Sequence, residues 1–330
     1  MTQKAATPAL SVVLPTSDDF STIRETVRAL GRQACCDRME LVIVAPTETV
    51  DIPADEVSMF AHTSVVYGGP VRTSNISRCI GVRAASAPYV VLAEDHSFPE
   101  PGWAEALLSA HAEGYAVVGP VIVNANPNSN ISWANLVLEY GPWLEGAARC
   151  ETDNLPGHNS SYDRSILMSY GDTLERMFEA DSVLQRDIAS RGHRLLLDPR
   201  AKTRHLNFSR IRASIPLRFN CGRSFAGHRI IGWSALKRIA FAVGAPLIPL
   251  VRFTRVLQML ISSERYSRLV PRIIPMLCLA VVTDGLGEMA GYILGPGDSP
   301  LYVGRIEFNR LRSMNTRDRA EYWKTAGETA

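Results

Sequence analysis

Three potentially ligating side chains stand in a row at Glu94-Asp95-His96, directly after the apolar run Tyr89-Val-Val-Leu-Ala93 and ahead of a proline-containing loop. Two carboxylates and an imidazole are costly to bury without partners. Together they suit a divalent cation such as Mn2+ or Mg2+. A cation held there would neutralise negative charge on a bound phosphorylated ligand. Read alone, the triplet also fits a surface turn whose carboxylates cap a helix. Tyr67-Gly68-Gly69-Pro70 is a turn that lacks the lysine and hydroxyl residue of a phosphate loop.

The elements around the triplet are those of an α/β domain. Leu10-Ser-Val-Val-Leu-Pro15 is short, β-branched and ends at proline, which predicts a buried parallel strand. Ile23, Val27 and Leu30 have helical spacing, with Ser21 or Thr22 as the cap. Glu40–Ala45, Tyr89–Ala93 and Val117–Val123 read as further strands, and Arg72–Ser86, Trp103–His111 and Asp181–Arg191 as helices. Alternating strands and helices imply a mostly parallel sheet. Ligands of such sheets sit beyond the carboxyl ends of the strands, which is where the triplet falls.

Composition sets the outer bounds. The 330 residues are 46% hydrophobic and 21% charged, so there is ample material for a core. The net charge of +2 hides an asymmetry: between Arg200 and Thr283 fifteen Lys and Arg face a single acid, Glu264. Two uncharged runs lie in this basic part, Ile239–Val251 and Ile273–Thr283, each shorter than the ~20 residues of a spanning helix. They read as re-entrant or interfacial helices on an anionic leaflet, or as a basic helical subdomain packed on the first domain or in a homo-oligomer. No nucleic-acid-reading motif accompanies the basic stretch. The six cysteines are irregularly spread without a CxxC pair, as in a reduced, cytoplasmic protein, and the polar start Met1–Pro8 has no signal-peptide core.

The run from Asn75 through Arg78-Cys79-Ile80-Gly81 to Glu94-Asp95-His96 resembles family 2 glycosyltransferases, in which an Arg-Asn-x-Gly helix leads to a strand ending in a DxD motif. Arg78 and Gly81 match, Cys79 replaces Asn, and Glu94 and His96 hold the outer DxD positions. Leu10–Thr16 looks like the opening strand, Gly157-His158-Asn159 like the Gly-x-Asn loop, and Glu179-Ala180-Asp181 like the acidic motif that precedes the acceptor-side helix. Pro199 and His205 match the proline and histidine that follow it.

The resemblance implies the nucleotide-diphospho-sugar transferase fold of the GT-A type, a Rossmann-like, mostly parallel sheet flanked by helices, over residues 1–210. Residues 211–330 would be a helical, membrane-associated extension of the kind seen in bacterial members. It further implies inverting transfer from a nucleotide sugar to a hydroxyl acceptor, in cell-surface polysaccharide or glycolipid synthesis at the inner face of the cell membrane. Pro15, Thr16, Arg78, Glu94, Asp95, Gly157 and Asn159 would then bind the donor, and Asp95, His96 and His205 the metal. Asp181 would be the general base, because inversion needs one carboxylate to take the acceptor's proton and a helix start favours its ionised form. Glu179 is the second candidate. The partners implied are a nucleotide sugar, a saccharide or lipid-linked acceptor and an anionic membrane surface. No Asp follows Val44-Ala45, where the family usually reads the base, so UDP, GDP and dTDP stay open. A non-catalytic protein of the same fold that binds sugar nucleotide or a partner is the alternative.

Overall fold

A computed structural model describes residues 7–48, 50–69, 74–308 and 310–325. The expected helix start at Arg72, the Pro70 turn position and Met1–Ala6 lie outside the described residues. The chain divides into two units, Met1–Val123 with Pro142–His205, and Asn124–Gly141 with Leu206–Ala330.

The first unit follows the order β1 (Leu10–Pro15), α1 (Arg24–Gly31), β2 (Met39–Ala45), β3 (His62–Tyr67), α2 (Ser74–Ala84), β4 (Tyr89–Leu92), β5 (Ser97–Pro99), α3 (Trp103–Ala112) and β6 (Val117–Asn124). After an excursion through α4 (Asn130–Tyr140) come β7 (Cys150–Glu151), β8 (Ser161–Asp163), α5 (Arg164–Met168), α6 (Leu174–Met177), α7 (Asp181–Ser190) and β9 (Leu195–His205). The strands form one sheet in the order β3-β2-β1-β4-β8-β6-β9-β5, with β7 on β9. It is mixed: β3, β2, β1 and β4 pair in parallel, whereas β8 pairs antiparallel with β4 and β6, and β9 with β5 and β7. β1, β2 and, in the antiparallel half, β6 carry the Val/Ile/Leu runs of strands buried on both faces. The short strands β5, β7 and β8 leave no such signal.

Two local features aim the site. Asp19, not Ser21 or Thr22, caps the turn ahead of α1, its carboxylate accepting from Ser21 N–H at 2.9 Å. Gly81 lies flat on β1: a Cβ there would stand 2.2 Å from Val13 Cγ1. Arg78, three residues earlier on the same helix face, is thereby brought over the strand ends.

The second unit is α-helical: α4, α8 (Ile211–Arg229), α9 (Ala235–Gly244), α10 (Ile248–Ser262), α11 (Val270–Leu294), α12 (Ser299–Glu307) and α13 (Thr316–Thr325). α8 and α11 approach closely through glycines. A Cβ on Gly222 would meet Asp284 O at 2.2 Å, and one on Gly287 would meet Phe219 O at 2.1 Å. Charged groups turn inward, with Arg218 donating to Glu139 at 3.1 Å and to Asn135 at 2.8 Å. Arg252 donates to Asp284 at 2.9 Å and also pairs with Glu288. Leu236, Ile239, Val243, Leu247 and Leu250 face outward, as do Leu286 and Leu294. Both uncharged runs belong to longer helical stretches than expected. Ala235–Ser262 and Ser267–Leu294, 28 residues each, are long and apolar enough to cross a membrane. Pro246 lies in the 3-10 turn Ala245–Leu247 that joins α9 to α10, Pro249 and Pro271 fall in first helical turns where no N–H is needed, and Pro275 lies inside α11.

Candidate active site

Glu94, Asp95 and His96 form the turn between β4 and β5. Ala93 N–H donates to Val13 O at 2.8 Å, which anchors the turn beside β1, and Thr26 of α1 donates to Glu94 O at 3.2 Å. His96 is buried, with Nδ1 2.6 Å from Asp95 Oδ1. An ionised carboxylate only accepts, so Nδ1 holds the proton and Nε2 carries the lone pair. Nε2 lies 3.3 Å from Glu94 Oε2. His205, fully buried at the end of β9 and paired in register with Ser97, brings its Nε2 to 3.8 Å from the same oxygen.

Ligand atoms of Glu94, His96 and His205 all lie within 4.8 Å of one another. One carboxylate and two imidazoles make a donor set that fits a divalent cation. The expected metal set was Asp95, His96 and His205; the atoms that cluster are those of Glu94, His96 and His205, with Asp95 Oδ1 against His96 Nδ1 at 2.6 Å.

Arg78 is buried and reaches two carboxylates: Nη1 is 3.1 Å from Asp181 Oδ1 and 3.2 Å from Oδ2, and Nη2 is 3.6 Å from Glu94 Oε1. Asp181 is the first residue of α7, and its side chain keeps 26% exposure. Burial pushes its carboxyl above the ordinary range, and the Arg78 guanidinium pulls the other way. Gly157 makes the room: a Cβ there would lie 2.0 Å from Asp181 Oδ2.

Asn159 is fully buried and holds φ 56°, a left-handed conformation that Asn tolerates better than most residues. Its N–H donates to Leu92 O at 2.7 Å, which fastens the loop to β4. Other expected residues are placed differently. Pro15 closes β1, and the buried Thr16 hydroxyl is engaged by Thr22 Oγ1 at 2.9 Å and Asp19 O at 3.2 Å. Glu179 is exposed in the turn before α7, its N–H on Arg176 O at 3.2 Å. One residue joins the site without having been singled out: His158, buried, with Nδ1 3.6 Å from Glu94 Oε2. Its only sequence signal was its place inside the Gly-x-Asn loop.

The mixed sheet with flanking helices is that of the GT-A fold class. Residues 11–171 match the model described as glycosyl transferase family 2. No curated protein matches the chain. Among solved structures it is similar to GalNAc-T7 crystallised with UDP, GalNAc and Mn2+ (14% identity, TM-score 0.44), covering 60% of this chain and 43% of that one. It is also similar to residues 1–349 of S. aureus TarS in complex with UDP (14% identity, TM-score 0.45), over 86% of this chain and 90% of the other.

Proposed function

We propose that the enzyme moves a glycosyl group from a nucleotide-diphosphate sugar to an acceptor hydroxyl with inversion at the anomeric carbon. The observation that carries this reading is the single Arg78 guanidinium between Asp181 and Glu94. It sets a general base and a cation-binding carboxylate on two sides of one space. Asp181 takes the acceptor's proton as its oxygen attacks, and the bond from the anomeric carbon to the diphosphate oxygen breaks on the opposite face. The raised carboxyl pKa makes Asp181 a stronger base than an ordinary aspartate. Glu94, His96 and His205 would hold Mn2+ or Mg2+, and Asp95 keeps His96 in the ligating tautomer. A divalent ion bound there supplies Lewis-acid stabilisation of the leaving diphosphate. Gly157 and Asn159 line the donor side, and Pro15 with Thr16 the nucleotide end.

The second unit supports a membrane-facing role, with catalysis at the inner face of the cell membrane on a saccharide or lipid-linked acceptor of surface polysaccharide or glycolipid synthesis. Its outward Leu, Ile and Val residues and inward charges invert the usual order of a water-exposed bundle. The flanking Lys237, Arg265, Arg268 and Arg272 suit anionic headgroups.

Calorimetric titration with UDP, GDP and dTDP, with and without Mn2+, tests the site. Binding of one nucleotide that requires Mn2+, is lost in His96→Ala and persists in Asp181→Asn supports it and names the donor class. Well-folded protein that binds none of the three refutes the donor site and leaves a non-catalytic scaffold.

A further inference from the structure

The helical unit has two kinds of surface. α8 lies along α11, where glycines let the backbones touch: a Cβ on Gly291 would meet Arg223 O at 2.5 Å, and one on Gly227 would meet Pro296 N at 2.4 Å. α8 carries Arg212, Arg218, Arg223 and Arg229 within its 19 residues and leaves Arg212, His228 and Arg229 exposed. A second surface, formed by α9, α10 and one stripe of α11, is apolar. Ile239, Val243, Leu247 and Leu250 are 60–75% exposed. On α11, Cys278, Val282, Leu286 and Ile293 follow one another at helical spacing and are exposed as well. The rim of this surface is basic: Lys237, Arg255, Arg265, Arg268 and Arg272 are exposed, and Glu264 is the only acid in the sequence from Ala235 to Thr283. Lys237 Nζ stands 4.1 Å from the Trp233 ring centroid, the pairing of indole and cation that anchors chains at headgroup level.

We infer that this apolar surface is sunk into a single leaflet of an anionic membrane, with α9 and α10 lying in its plane and neither long apolar stretch crossing to the far side. This rests on the membrane-facing reading of the helical unit and adds depth and topology to it. The charge-free outward surface of α9 and α10 runs from Ile239 to Val251, bounded by Lys237 and Arg255. That is roughly 20 Å at about 1.5 Å per residue, against a hydrocarbon core of ~30 Å. α11 is long enough to cross, yet it has α8 at its side, and α8 is not among the helices apolar enough to do so. A crossing α11 would carry the arginines of α8 into hydrocarbon, which is costly. A helix in the plane of one leaflet buries its apolar face and leaves the cations at the headgroups.

The test uses the full chain in sealed inverted membrane vesicles from a bacterial expression host, washed in about 1 M salt, where attraction between surface charges is screened. Glu264→Cys and Asp298→Cys place an exposed thiol at either end of α11, and the native Cys278 lies on its apolar stripe. A membrane-impermeant maleimide is applied before and after detergent lysis, and each site is read by peptide mass spectrometry. The chain should stay with the washed vesicles. Both introduced thiols should label fully before lysis, with no gain afterwards, while Cys278 stays unlabelled in intact vesicles. Protection of either introduced thiol until lysis overturns the inference in favour of a crossing helix and leaves the membrane reading standing. Release of wild type by salt, or labelling of Cys278 as fast as the introduced thiols, overturns it in favour of charge-driven contact at the surface. A chain that never sediments with the vesicles refutes the membrane reading itself.

Discussion

Arg78 bridges two carboxylates, lying 3.1 Å from Asp181 and 3.6 Å from Glu94. Its positive charge opposes the upward push of burial on the Asp181 carboxyl. In Arg78→Met that opposition disappears, so the carboxyl titrates higher still. A base works only when ionised, so the acid limb of the kcat/KM profile should move to higher pH, with Arg78→Lys between variant and wild type. The pH profile of transfer checks this. An acid limb at the wild-type position in Arg78→Met would show that Asp181 is not the base.

Gly157 is a steric requirement of the same pair. A methyl group 2.0 Å from Asp181 Oδ2 has to displace the carboxylate. Gly157→Ala should keep its fold by circular dichroism yet lose roughly a hundredfold in kcat, the cost of misplacing a catalytic group by about 1 Å. Steady-state kinetics on the folded variant decides it.

His111 predicts an acid-sensitive core. It is buried between Tyr115 O at 2.8 Å and Ser161 Oγ at 2.7 Å, stacked on Tyr89, and burial lowers its pKa to about 4. The unfolded chain binds its proton near pH 6.5. The neutral ring therefore contributes its full stability above about pH 6.5, and the contribution is lost as pH falls towards about 4, up to about 3 kcal/mol. Urea unfolding of wild type and His111→Asn across that window should give a steeper pH dependence for wild type. Parallel curves would contradict it.

The second unit predicts lipid binding through one face. Leu236, Ile239 and Val243 recur at helical spacing and are exposed. Their joint replacement by Asn should reduce sedimentation with vesicles containing anionic lipid by about tenfold or more, since each buried apolar side chain contributes about 1.5–3 kcal/mol. Nucleotide binding should be unchanged. Equal sedimentation of variant and wild type would remove this face from the membrane reading.

Legibility in the sequence followed the strength of local constraints. β1, β2 and β4 stood out because strands buried on both faces are continuous runs of Val, Ile and Leu. The triplet at 94–96 was visible for the same reason, three polar groups abutting such a run. What the sequence concealed was convergence. His158 and His205 lie 47 positions apart in the chain and meet because β9 ends paired with β5 and the loop before β8 is fastened to β4. The roles of Asp95 and Glu94 depended on which way two adjacent side chains turn, which residue order alone does not fix. Asp181 was favoured over Glu179 because a helix was expected to start there, and α7 does begin at Asp181 with Glu179 exposed ahead of it.

The excursion of residues 124–141 into the helical unit has a consequence for synthesis. α4 is bonded through Asn135 to Ser214 and Arg218 of α8, and those partners are translated after all nine strands. α11 begins roughly 130 residues after α4 ends, a delay on the order of ten seconds at ribosomal speed. Throughout that interval α4 lacks α11, the helix it packs on most. A nascent or truncated chain ending at His205 therefore exposes a sticky helix from the middle of an otherwise finished sheet domain. Chaperone dependence should concentrate in that window, and recombinant versions cut at His205 should aggregate unless residues 124–141 are replaced by a short polar linker.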